Sequence, residues 1–417
     1  MSYQKLGSIL GAVALGLVLL YLAVVVPIPT GATSTGFASD LPYAARGPHA
    51  VGVQTNSTGG NNPLTLVMWY PADNSSNRTL NHTYHLQMKM GNPIGAVTVA
   101  TYGGHAISDV PHNSPTEPYP LVILSPGFSM GAMSYGWLAE HMASHGFVVV
   151  APEHSEYFDG ELNGLWQAPA TRPSDIIAVL DYIDQQTING GALTNIVDPE
   201  QVAVVGHSYG GYTTLAAGGA QIDAEAFRQH CVDARAAAHP AAWLCDEIEP
   251  HLDEMAVRAG FETLPDGLWE LPVDSRIDAL VPIAGDAYFF SPAGLGNITA
   301  PMLAIGGTAD EDTPWEWGPQ LAYDNVSSSE KILIGLQGAD HMIFTGPCEA
   351  IPLVLRLMSD EFCAASDWGS RYDAHHVVKH FATVFLLAEL AGDNEAANVL
   401  SPENITQPDI TYIAQGY

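Results

Sequence analysis

The chain has 417 residues, 47% of them hydrophobic, with aromatic residues spread along it and no repeat or low-complexity tract. This composition excludes a disordered or fibrous chain and allows one large domain or two ordinary ones. Against 13 Lys and Arg stand 45 Asp and Glu, a formal charge of −32, so a phosphate backbone would be repelled and nucleic-acid binding is excluded. Only 14% of residues are charged, so the imbalance comes more from missing lysines than from surplus acids, as suits a saline or acidic medium or simple solubility.

Leu6 to Ile28 carries no charge and as a helix would cross roughly 30 Å of hydrocarbon. A signal peptide has a core of only about 7–15 apolar residues, so the stretch reads as an uncleaved transmembrane anchor. Residues 1–5, with Lys5, then stay cytoplasmic and everything that follows lies outside. Cleavage near "TGATSTGFAS" would instead release a secreted protein. Residues 29–47, small, polar and turn-rich, read as a tether, and a folded domain is expected over 48–417. N-x-[ST] triplets at Asn56, Asn74, Asn77, Asn81, Asn297, Asn325 and Asn404 suit a glycosylated exterior.

"LTLVMWY" (64–70) and "AVTVAT" (96–101) are strand candidates flanking an Asn-rich loop, and they are expected to form an antiparallel edge. From residue 120 apolar runs alternate with amphipathic helices: strands at 120–125, 147–151, 202–206, 279–285, 302–307 and 331–336, and helices near 134–145, 174–187, 209–218 and 373–391. Continuous apolar strands between helices predict a mostly parallel central sheet buried on both faces. Pro173 is expected in the first turn of the helix that begins "RPSDIIAVLDYI". Residues 219–276 break the alternation with a helical, cysteine-containing stretch. Its place in the chain predicts a cap at the carboxyl ends of the strands, where open α/β sheets keep their ligand sites; the other reading is an addition to the core on one side.

The four cysteines are Cys231, Cys245, Cys348 and Cys363. Two local disulfides, Cys231–Cys245 and Cys348–Cys363, are the expectation in an oxidising compartment, although three pairings are open. Neither pair has the close spacing of a zinc knuckle.

In "VAVVGHSYGGYTT" (202–214) an apolar strand leads into Gly206, and a helix can start at Tyr209, which presents Ser208 on a tight turn. Gly206 and Gly210 remove Cβ atoms that would collide there, and Gly211 permits a close helix approach. A serine hydroxyl needs a base, and the base needs an orienting acid. Each should follow a later strand, and "MLAIGGTADEDTP" supplies Asp310 while "KILIGLQGADHMIF" supplies His341. Asp312 in the same loop and Asp286 in "PIAGDAYFF" are rival acids. Among the other histidines His154 is the main competitor; His375, His376 and His380 fall on the C-terminal helix, and His207 is buried within the turn. An oxyanion needs two donors, for which the N–H of Tyr209 and, after the strand "PLVILS", the N–H of Phe128 are placed. Phe128, Met130 and Tyr209 would line the acyl pocket, with Trp315 and Trp317 as further candidates. The run at 310–312 reads as a solvated acidic loop rather than a calcium site, and no cofactor is expected.

The glycine-flanked serine resembles the nucleophile elbow of an α/β-hydrolase, and the chain order Ser, Asp, His is that of the superfamily. "LTLVMWYPA", "LVILSPGF", "VVVAPEHS", "GHSYGG", "GGTADEDTP" and "GADH" occur in the order of the group that joins platelet-activating-factor acetylhydrolase-like enzymes, predicted dienelactone hydrolases and bacterial cutinase-like polyester hydrolases. The resemblance spans about residues 45 to 400. True dienelactone hydrolase uses a cysteine nucleophile, and this chain has Ser208 there. The resemblance implies an α/β-hydrolase fold and a carboxylic-ester hydrolase working through an acyl-enzyme, while the cysteine-containing insertion at 219–276 departs from many relatives. Its spacing to Pro314 is the common pattern for Asp310; His154 precedes Ser208 and breaks the order. An amidase of the same fold or an inactive binding ectodomain are the alternatives, and the presence of all three triad positions favours catalysis. The expected partner is an ester, whether small molecule, lipid or polymer.

Overall fold

In each central strand every second residue belongs to one apolar cluster and the intervening residues to another. On the strand ending at His207, Val202 and Val204 face one side while Ala203 and Val205 face the other. The strand before Pro126 divides Leu121 and Ile123 from Val122 and Leu124 in the same way. Both sides of the sheet are therefore dry, which is why these runs are continuously apolar. The computed structural model describes residues 41–417, apart from 61, 76, 159–163, 348–349, 352–367 and 369.

The strands in chain order are β1 (Val51–Ser57), β2 (Thr65–Pro71), β3 (Thr83–Met90), β4 (Gly95–Gly103), β5 (Ile107–Ser108), β6 (Tyr119–Ser125), β7 (Val148–Pro152), β8 (Val197–His207), β9 (Ile222–Asp223), β10 (Leu268–Trp269), β11 (Ile277–Ile283), β12 (Met302–Gly307), β13 (Lys331–Leu336) and β14 (Ile410–Gln415). Ten of them form one sheet in the order β14-β13-β12-β11-β8-β6-β7-β2-β1-β5. From β13 to β7 all neighbours are parallel; β2, β1 and β14 are added antiparallel. Helix α1 (Gly136–Ser144) and the C-terminal helix Arg371–Ala391 cover one face, and α2 (Ala168–Thr187) and α3 (Tyr209–Ala217) the other. This is the α/β-hydrolase fold.

The expected edge pairing of 64–70 with 96–101 does not form. β2 is buried along nearly its whole length and sits inside the sheet between β1 and β7. β4, whose first half alternates in burial, pairs with β3 in a separate hairpin. One strand is apolar on both faces and belongs in the interior; the other has a wet face. The hairpin lies against the loop after β6: Lys89 N–H donates to the Ser129 carbonyl and Gly131 N–H to the Gln87 carbonyl.

Helix α2 begins earlier than expected, at Ala168, so Pro173 lies inside it rather than in its first turn. Proline has no N–H to give the carbonyl four residues back. The Tyr212 hydroxyl donates to that carbonyl, of Pro169, at 3.0 Å instead.

The 219–276 insertion is pinched at its base, where β9 pairs with β10. Between them run α4 (Ala224–Ala236), α5 (Trp243–Ile248) and α6 (Leu252–Arg258). The Cys231–Cys245 disulfide joins α4 to α5 with Cα atoms 5.5 Å apart. Phe227, Leu244, Ile248 and Met255 extend the core on the α2 side, so the insertion adds to the core and also reaches the pocket described below. Residues 41–47, expected within the tether, pack on the body instead: Leu41 and Ala44 are buried, Tyr43 N–H donates to His380 Nδ1 and Gly47 N–H to Ser144 Oγ. The Leu6–Ile28 stretch and the Cys348–Cys363 pair lie outside the described residues, and among the described residues no helix is long and apolar enough to cross a membrane.

Candidate active site

β8 ends in a turn that only small neighbours permit. Ser208 has φ 59° and ψ −124°, a left-handed conformation that a non-glycine residue holds only where its surroundings over-determine it. A Cβ on Gly206 would lie 2.1 Å from the Gly210 carbonyl oxygen, and one on Gly210 would lie 2.0 Å from that of Ser125. Ser208 N–H is held by the Ile283 carbonyl at 2.9 Å. Helix α3 follows at once, so the Tyr209 N–H is one of the first-turn donors that have no intrahelical acceptor.

The loop after β6 runs beside this turn: a Cβ on Gly127 would be 3.6 Å from Ser208 Cβ. Gly127 N–H donates to Tyr135 Oη at 3.1 Å, and Tyr135 Oη meets His207 Nδ1 at 2.8 Å. His207 Nε2 lies 3.2 Å from the His341 carbonyl. A carbonyl only accepts, so Nε2 carries the proton, Nδ1 accepts from the tyrosine, and the tyrosine oxygen accepts from Gly127. Burial holds His207 well below the ordinary histidine range, in keeping with a neutral ring. This chain of bonds ties together the loop after β6, the turn at Ser208 and the backbone of His341.

His341 Nδ1 lies 2.8 Å from Asp310 Oδ2. The other oxygen of Asp310 accepts the N–H groups of Asp312 at 2.9 Å and Thr313 at 2.7 Å, which aims the carboxylate. Burial by itself lowers the His341 pKa, but Asp310, Asp312 and Asp286 outweigh it and raise it to about 9. Of the three acids, then, it is Asp310 that touches the imidazole. Asp286 accepts from Thr313 Oγ1 at 2.9 Å, and burial pushes its carboxyl up to about 7. His154 is engaged elsewhere, with Nε2 2.9 Å from Ser125 Oγ and Nδ1 2.6 Å from Asp175 Oδ2. His375 stacks on Trp137.

Ser208, His341, Phe128, Met130 and Tyr209 line one pocket of about 120 Å³. Leu86 and Met88 of the hairpin and Trp243 and Leu244 of the insertion wall it as well. Trp315 and Trp317, expected as lining, lie elsewhere. The Trp315 ring covers Gly335, where a Cβ would come within 2.8 Å of it, and Trp317 stacks on His239 at 4.0 Å between ring centres. Leu86, Met88 and Trp243 were missed because hairpin and insertion reach the pocket only through long-range packing. Among the described residues no group of three His, Cys, Asp or Glu is arranged to hold a metal ion.

Residues 90–243 match the family model PETase, described as PET hydrolase-like. The match includes Ser208 and stops before Asp310 and His341. A cutinase (est2) of Thermobifida alba is 37% identical over 97 residues, 23% of this chain and 29% of the relative. Cutinase 2 of Thermobifida cellulosilytica is 35% identical over 97 residues, 23% of the chain and 33% of the relative. A bis(hydroxyethyl) terephthalate hydrolase of Streptomyces coelicolor is 30% identical over 124 residues, 30% of the chain and 36% of the relative. The chain thus spans about a third of the length of the relatives it matches.

Proposed function

We propose that this chain, an α/β-hydrolase similar to the cutinase-like polyester hydrolases, is a serine hydrolase of carboxylic esters. The observation that carries the reading is His341, held from behind by the buried Asp310, lining the same pocket as a serine held at positive φ. Ser208 Oγ attacks the ester carbonyl while His341 takes its proton. Asp310 holds the imidazole by its Nδ1–H, so Nε2 is the basic nitrogen. The N–H groups of Tyr209 and Phe128 receive the developing oxyanion. His341 returns the proton to the leaving alcohol, and water activated by the same imidazole cleaves the acyl-enzyme.

The pocket suits a compact acyl group. An apolar cavity of roughly 150 Å³ accommodates a benzene-sized ligand, and the 120 Å³ here has a similar scale. The body is proposed to be exported: the charge-free Leu6–Ile28 stretch supports an anchor, and the Cys231–Cys245 disulfide suits an oxidising compartment.

The test is fluorophosphonate labelling of the purified protein together with p-nitrophenyl esters from acetate to palmitate. The wild type should label and hydrolyse, with preference for short chains, and Ser208→Ala should do neither. A wild type that neither labels nor cleaves any ester would end this reading.

A further inference from the structure

The loop that carries the Phe128 N–H is gripped from behind by a buried arginine. Arg172, on α2, is fully buried. Its Nη1 donates to the Pro126 carbonyl at 2.6 Å and its Nη2 to the Gly127 carbonyl at 3.2 Å. Glu156, also buried, pairs with the same Nη2, and the guanidinium lies 5.8 Å from the centre of the Tyr209 ring. Among the described residues Arg172 has no other hydrogen-bond partner than Pro126, Gly127 and Glu156.

The peptide unit matters here. The Gly127 carbonyl and the Phe128 N–H belong to one planar trans amide, so they point in opposite directions. The Gly127 carbonyl also accepts the Met130 N–H at 3.2 Å; held on that turn and on Arg172, it turns the N–H away from the arginine, toward the side where Phe128 lines the pocket and Gly127 abuts Ser208. The preceding amide is held in the same way, its carbonyl on Arg172 and its N–H, that of Gly127, on Tyr135 Oη. Two successive peptide units are thus clamped, and among the described residues the Phe128 N–H is the one of their two N–H groups that has no acceptor. A charged donor on the carbonyl also polarises the amide and strengthens the N–H as a donor. The arginine is planar and forked, so two separate nitrogens meet the two carbonyls in a fixed geometry that the single Nζ of a lysine does not reproduce.

We infer that Arg172 is a positioning residue for catalysis, which orients and polarises the 127–128 peptide so that the Phe128 N–H is preorganised for the oxyanion. This inference rests on the esterase reading above. Glu156 keeps the arginine in place and neutralises it: burial alone would raise its carboxyl, but Arg172, Lys89 and His154 bring it down to about 2.

The test compares three variants: Arg172→Lys, the double change Arg172→Met/Glu156→Leu, and Asp175→Asn. The double change removes both buried charges together, which proteins commonly tolerate, whereas removing one alone leaves the other uncompensated. Asp175→Asn disturbs a different contact of the same helix, with His154. For each, kcat, KM, the affinity of a boronic acid that forms a tetrahedral adduct on Ser208, and the infrared carbonyl stretch of a slow acyl-enzyme are measured.

Both Arg172 variants should lose about 10- to 100-fold in kcat, less than the roughly 10²–10³-fold of deleting a donor outright. KM should change little, boronate affinity should fall in parallel with kcat, and the acyl carbonyl stretch should move to higher frequency. Asp175→Asn should keep kcat and the stretch. The inference is overturned if the folded double variant retains wild-type kcat and stretch, or if Asp175→Asn loses as much as the Arg172 variants do. A wild type without esterase activity would instead defeat the underlying function, so the two failures are distinguishable.

Discussion

Two sets of serine, histidine and aspartate occur in this molecule, and their surroundings are opposite. Ser125, His154 and Asp175 are joined by bonds of 2.9 and 2.6 Å, as compact as the His341–Asp310 contact of 2.8 Å. Yet Ser125 ends a regular strand, is fully buried and lines no part of the pocket. Ser208 stands on a strained turn that faces it. The electrostatics differ as well. His154 is lowered, by burial first and then by the neighbouring Arg172, whereas three carboxylates raise His341. A triad of residue types is therefore no evidence of catalysis by itself; access, backbone strain and the charges around the imidazole distinguish the site proposed to react from the buried set at Ser125.

The sharpest test of that contrast is serine against serine. Ser208→Ala should reduce kcat by about 10⁶-fold and abolish fluorophosphonate labelling. Ser125→Ala should label normally and lose about 1 kcal/mol of stability, read from urea unfolding. If Ser125→Ala were the variant that stopped labelling, the assignment would be reversed. The acids come next: Asp310→Asn should lower kcat about 10⁴-fold, with steady-state kinetics as the readout, while Asp175→Asn stays within about threefold.

The pH profile probes the histidines. His341 must be neutral to act as a base, so with its pKa raised to about 9 kcat/KM should climb roughly tenfold per pH unit until it levels near that value. Asp286→Asn removes a carboxylate that faces this imidazole and should shift the rising limb to lower pH. The linked stability has the opposite sense: the His341–Asp310 pair contributes fully below the unfolded pKa of about 6.5 and is lost as pH rises through about 9. A flat kcat/KM between pH 6 and 9 would contradict this account. The smallest effect concerns the pocket wall. Trp243→Ala should move the preferred acyl length upward by a few carbons with a severalfold change in kcat/KM, since Trp243 closes one side of the pocket.

Much of this was legible in the chain order. The apolar run, the glycines at 206, 210 and 211 and the helix start at Tyr209 are neighbours in sequence, so the turn at Ser208 could be read without knowing the rest. The local cysteine pair 231 and 245 was legible for the same reason. Arg172 and Asp175, by contrast, sit within the quoted stretch "RPSDIIAVLDYI" and read only as a helix start. Their partners are 45 residues back for Gly127 and 21 back for His154, and no local pattern marks such a contact. Trp315 was a further candidate for the pocket on its aromatic character, but its ring lies against the bare face of β13 at Gly335.

By itself the sequence determined the alternation of strands and helices, the strained serine turn and the set of acids and histidines that could serve it. These follow from hydrophobic period and from steric limits on neighbouring residues, which act over a few positions. Only the tertiary structure decided which acid meets His341, which tryptophan walls the pocket, and that a second serine, histidine and aspartate would meet at Ser125. Those outcomes depend on which loops the sheet order brings side by side, and that order is set by burying both faces of β2 and β8 at once rather than by any single stretch.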